Sequence, residues 1–167
     1  VMNSSNMPTY LAVPLEHKNL LEASAGTGKT YTVALLYLRA LLGVDTPHNK
    51  PLKVDQILVV TFTNAATEEL IGRIRDRIKE AITYIDKPKE GEPLLDVLKA
   101  AYRLHEMDKE KCRRLLKTAL SEFSFSHIST IHSFCGEILK MVAVDSGLPL
   151  SITLSTDSEQ IDQSIND

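Results

Sequence analysis

The chain has 167 residues, 43% apolar and 25% charged, enough for one globular domain with a buried core. Its net charge of −3 excludes a global electrostatic pull toward nucleic acid, so any such contact has to come from a local surface. No apolar run reaches the ~20 residues of a bilayer span, no basic-then-apolar start resembles a secretion signal, and two cysteines without CxxC spacing read as reduced, cytoplasmic thiols.

Residues 1–13 read as a disordered start. Lys18 to Ser24 predicts a buried strand that feeds the turn Ala23-Ser24-Ala25-Gly26-Thr27-Gly28-Lys29-Thr30. A helix follows from Tyr31 to Leu42, apolar nearly all round, as expected of a helix covered on more than one side. Strand, glycine-rich turn and helix carrying Gly-Lys-Thr is the layout of a P-loop. Backbone N–H groups of such a turn, with the positive end of the helix, hold phosphate oxygens. Lys29 would reach the β- and γ-phosphates, and the Thr30 hydroxyl would ligate Mg²⁺. Ala23 stands where the first glycine usually falls.

Gly43 is a plausible end to that helix, and Asp45 to Pro51 is a turn-rich connection. Gln56 to Phe62 is a β-branched run typical of a parallel strand buried on both faces. Thr63 or Asn64 can cap the next helix, whose apolar line runs Leu70, Ile74, Ile78, Ile82 and Ile85 until Pro88 and Gly91 break it. Arg73, Arg75, Arg77 and Lys79 share this helix, and a solvated face competes there with a DNA contact. Two shorter helices, from Pro93 to about His105 and from Asp108 to about Phe123, suggest a helical insertion over about 88–124. Phe125 to Thr130 returns as a strand. The helix from Ile131 to about Val144 carries Ile131, Phe134, Cys135, Ile138, Leu139 and Val142 as an expected core stripe. The polar segment 148–167 reads as the start of a following, truncated subdomain.

Three blocks, EASAGTGKT from Glu22, VTFTNAATEEL from Val60 and STIHSFC from Ser129, stand in series. In order and content they resemble motifs I, Ia and Ib of the UvrD-type superfamily 1 DNA helicases. The resemblance covers about residues 14–147. It implies an α/β fold: a RecA-like P-loop NTPase parallel sheet flanked by helices, with the helical insertion, forming part of the first motor domain. It implies ATP and Mg²⁺ as cofactors, held by residues 23–30. It also implies single-stranded DNA and duplex DNA ends as partners, no membrane, and a heterotrimer with two companion subunits. In relatives, motif Ia places an aromatic residue at the carboxyl end of its strand for bases to stack on. The matching residue is Phe62, for which a core position is the competing reading. Thr61, Thr63 and Asn64 match partners of DNA phosphates, with capping as the alternative for the last two. Thr130 and His132 match the backbone contacts of motif Ib, and for His132 a cap or packed side chain is the alternative.

Two departures stand out. Glu16, in Pro14-Leu15-Glu16-His17, lies near the position where relatives often carry a glutamine that reads adenine. No apolar strand ending in Asp-Glu completes the Mg²⁺ site, since Met141 to Asp145 continues a helix. The arginine finger and a nuclease domain are also missing from the sequence, so the fragment is expected to lack turnover. Other readings are a helicase without nuclease, an AddA-like relative, and a stand-alone P-loop kinase, in which the second and third blocks would be coincidence.

Overall fold

The computed structural model describes residues 9–22, 28–105 and 108–145, and the chain divides into two units, Val1–Thr130 and Ile131–Asp167. In the first unit, helix α1 is one turn, Thr9–Ala12, where the sequence reads a disordered start; Leu11 gives it an apolar hold on the core. Helix α2 spans Lys29–Leu41 with no Gly or Pro inside. It ends in a Schellman motif: Val44 N–H donates to the Arg39 carbonyl at 2.8 Å and Gly43 N–H to Ala40 at 3.1 Å. Gly43 sits at φ 71°, and a Cβ there would lie 2.6 Å from the Pro51 nitrogen. Glycine is therefore required both by conformation and by space. The loop folds back through Leu52 N–H, which donates to Ala40 at 3.0 Å, and so delivers the chain to strand β1, Leu58–Thr61.

Strand β1 pairs in parallel with β2, His127–Thr130, with Leu58 opposite His127 and Thr61 opposite Thr130. Parallel neighbours need a long crossover. Helices α3 (Asn64–Asp86), α4 (Pro93–His105) and α5 (Lys109–Ser121) supply it. The four-and-three spacing on α3 buries Leu70, Ile74, Ile78 and Ile85, leaving Ile82 half-buried, and the helix packs on α2, α4 and α5. Each such side chain contributes ~1.5–3 kcal/mol by leaving water, which makes α3 the spine of the unit.

Three expectations fail. Residues 18–22 form no strand: Leu20 is 84% exposed, and Asn19 instead donates its amide to the carbonyls of Pro14 and His17. An extended segment becomes a strand only beside a hydrogen-bonding partner, and among the described residues the sheet contains β1 and β2 alone. Strand β1 is not buried on both faces, because Leu58 and Val60 remain exposed while Val59 turns toward the core. In the second unit, helix α6 (Ile131–Asp145) has the expected bounds, yet Ile138, Leu139 and Val142 of its stripe are exposed. Periodicity decides which residues share a face and leaves open what covers it.

Candidate nucleotide and nucleic-acid site

Helix α2 begins on Gly28, which takes the left-handed conformation at φ 82°, ψ 27°. Among the described residues no side chain caps this end, and no acidic residue occupies its first turn. The first N–H groups of a helix have no partner within the helix. Among the described residues they meet no acceptor at its positive end, with Lys29 exposed and Thr30 half-buried beside them. An uncapped helix start carrying a lysine and a hydroxyl fits a phosphate with its bound cation. Ala23, Ser24, Ala25, Gly26 and Thr27 lie outside the described residues. The strand expected to lead into them is absent over 18–22, as noted above.

Glu16 is exposed in the segment before this turn. That segment is tied to the far end of α2, where Leu15 N–H donates to the Asp45 carbonyl at 2.9 Å. Asp45 also pairs with Arg39, which is fully buried on α2, at 2.5 Å. Burial pulls the Arg39 pKa down, and the Asp45 hydrogen bond and charge pull it back up. Nothing in the sequence announces this pair, because its partners meet only after the chain reverses at Gly43.

The carboxyl ends of β1 and β2 bring Thr61 and Thr130 side by side. Phe62, one residue past β1, is 86% exposed, so the core reading fails and its ring is free for contact. Thr63 is the N-cap of α3: its hydroxyl accepts from Ala66 N–H at 3.1 Å. Thr61 is occupied internally too. Its hydroxyl lies 2.6 Å from that of Thr67, and both face the Thr63 carbonyl at 3.1 Å. Thr67, a buried residue the sequence did not single out, thereby locks the strand-to-helix corner. Asn64 is exposed in the first turn, and Thr130 is buried. His132 is exposed on α6, in the second unit.

The basic residues of α3 are tied down. The Arg77 guanidinium stacks 4.5 Å from the Tyr31 ring centre and pairs with Glu80, and Arg75 lies 5.0 Å over Phe123. Such cation–π contacts are worth ~0.5–2 kcal/mol. Arg73 meets Glu69 at 3.6 Å and Lys79 meets Asp76 at 3.5 Å. Burial raises the Tyr31 pKa, and Arg77 partly offsets the shift. Tyr37, also on α2, is pushed up to about 12 by burial. The Arg77–Tyr31 contact braces α3 against the first turn of α2.

A parallel strand–helix–strand unit with a glycine-turned, uncapped helix start carrying Lys-Thr defines a P-loop NTPase fold. The chain belongs to the UvrD/REP helicase family, whose N-terminal domain matches residues 6–166. It is similar to the RecBCD enzyme subunit RecB of Escherichia coli, 43% identical over 141 residues, 83% of this chain and 12% of the relative. The RecB subunit of Haemophilus influenzae is 38% identical over 160 residues, covering 90% of this chain and 13% of the relative. That of Mycolicibacterium smegmatis is 37% identical over 136 residues, 81% and 11% respectively. The chain thus spans about an eighth of the length of these relatives. Family membership implies nucleotide binding. Among the described residues no helix is long and apolar enough to cross a membrane.

Proposed function

We propose that this chain is the ATP-binding, N-terminal part of a cytoplasmic, RecB-like, ATP-dependent DNA helicase and exonuclease subunit. Such a protein would act on double-strand DNA ends in recombinational repair, together with RecC-like and RecD-like subunits. The observation that carries the reading is the uncapped start of α2, with Gly28 at positive φ and Lys29 and Thr30 on its first turn. Lys29 would hold the β- and γ-phosphates, the Thr30 hydroxyl would ligate Mg²⁺, and the backbone N–H groups of residues 23–28 would serve the phosphates. Bound Mg²⁺ supplies charge neutralisation at the terminal phosphates. Glu16 lies on the segment assigned to the base.

The DNA strand runs over the carboxyl ends of β1 and β2, where ligands of parallel sheets bind. Phe62 stacks a base there and exposed Asn64 approaches the backbone, while Thr61 and Thr63, whose hydroxyls are engaged at the corner, position Phe62. On the second unit, His132 is by itself a candidate backbone contact. A stacked base contributes ~1–3 kcal/mol without reading sequence, which suits a motor that has to move along any DNA.

The test is a titration of the 167-residue chain with a fluorescent ATP analogue and Mg²⁺, and separately with oligo(dT). Lys29→Ala is expected to weaken the nucleotide ~10–100-fold, the loss of a charge-assisted contact. Phe62→Ala is expected to weaken oligo(dT) ~5–100-fold and leave the nucleotide unchanged. Chelating the metal lowers nucleotide affinity in the wild type and has little effect in Thr30→Ala. Nucleotide binding indifferent to Lys29 overturns the reading.

A further inference from the structure

The outer face of α5 is a second nucleic-acid contact: we propose that Lys111, Arg114 and Lys117 hold the phosphate backbone of duplex DNA. This goes beyond the single-strand path at Phe62 and stands on its own charges. Helix α5, KEKCRRLLKTALS, carries five basic residues and one acidic residue in a chain whose net charge is −3. Its inner side, Cys112, Leu116 and Ala119, is buried and packs on α3. Arg113 is taken up structurally, in a two-pronged pair with Asp86 at 2.6 and 2.8 Å and a third contact to Glu110 at 3.2 Å.

Lys111, Arg114 and Lys117 remain on the other side. At 3.6 residues per turn they fall within an arc of about 120° and about 9 Å of helix axis. All three are exposed, and among the described residues none of them makes an ion pair. Glu110 lies in the same arc but is drawn to Arg113. Asp86 attracts Lys109 and Lys117 at longer range, while its hydrogen bonds go to Arg113. The contrast with α3 is direct, since each of its four central basic residues has an acidic or aromatic partner.

The chemistry of the face selects the partner. A duplex presents one phosphate charge per ~1.7 Å of its axis, so three clustered cations find partners at any register. No aromatic side chain lies on this outer face for a single strand to stack on, and no Asn or Gln is present to read base edges. The contact is therefore to double-stranded backbone and is indifferent to sequence.

The experiment measures anisotropy of a labelled blunt duplex, and in parallel oligo(dT), with the 167-residue chain over a series of salt concentrations. Releasing about 0.9 counterion per phosphate, the wild type is expected to show a log K against log salt slope steeper by ~2–3 than that of Lys111→Gln/Arg114→Gln/Lys117→Gln. Arg114→Gln alone lowers the slope by about one. Oligo(dT) binding is unchanged in both variants, whereas Phe62→Ala weakens oligo(dT) and leaves the duplex alone. Lys50→Gln/Lys53→Gln, which removes charge from the loop before β1, leaves both ligands as in the wild type. The proposal is overturned if the wild type does not bind the duplex. It is also overturned if the triple variant keeps the wild-type slope, or if it loses oligo(dT) in equal measure. Failure of Phe62→Ala to weaken oligo(dT) counts against the single-strand path only.

Discussion

Helices α2 and α3 lie against each other in one core, yet their amino ends are built in opposite ways. Helix α3 closes its own: Thr63 accepts from Ala66 N–H, and Thr61 and Thr67 converge on the Thr63 carbonyl. Among the described residues helix α2 leaves its end open, beginning on a left-handed glycine with no side-chain cap. Closing a helix end with an oxygen from the protein stabilises the fold, whereas leaving it open keeps the same N–H groups for an external anion. The difference separates a corner that positions Phe62 from an end proposed to receive phosphate.

The comparison can be broken at the core that both helices share. Ile78 on α3 is fully buried, and Ile78→Ala is expected to lower stability by ~2–5 kcal/mol, read by urea denaturation. A smaller cost would mean that α2 and α3 do not depend on a common packing surface. Gly28→Ala tests the open end. The site has room for a methyl group, the nearest atom being 3.9 Å away, but φ 82° strains any L side chain. The expected loss is ~1–2 kcal/mol, with nucleotide affinity falling alongside it.

Thr63→Ala sharpens the contrast from the other side. Loss of the cap lowers stability by ~1 kcal/mol and leaves nucleotide affinity untouched; an equal effect on the nucleotide would erase the distinction between the two ends. A pH-dependent effect concerns Cys112, whose thiol is pushed up by burial to about 11 from an ordinary 9.0. Between those values the unfolded chain gives up this proton first, so the folded state binds more protons and stability falls as pH rises. Denaturation midpoints should decline over that window, and Cys112→Ala should show a shallower decline. Exposed Cys135 should also react with a thiol reagent well before Cys112.

Helices were legible because their signals are local. Pro93 to His105 and Asp108 onward follow from spacing, and the structure adds a cap there, with Asp108 accepting from Lys111 N–H. The end of α2 was legible in Gly43, and the crossover to a parallel strand in the β-branched run before Phe62. Phe62 itself was ambiguous, since an aromatic residue closing an apolar run reads equally as core. The roles of the motif Ia threonines were ambiguous for a related reason: one hydroxyl can cap a helix or meet a phosphate.

The amino-acid sequence thus determined the five longer helices, the Thr63 and Gly43 ends, the family and the Gly-Lys-Thr placement, all set by neighbours a few residues apart or by motif order. The tertiary structure alone decided that Arg39 is buried against Asp45, that Thr67 locks the corner below Phe62, and that α3 satisfies its cations while α5 presents three of its own outward. Those outcomes depend on which surfaces meet after the chain reverses. Burial and charge pairing are properties of such meetings, and no window along the sequence contains both partners together with what covers them.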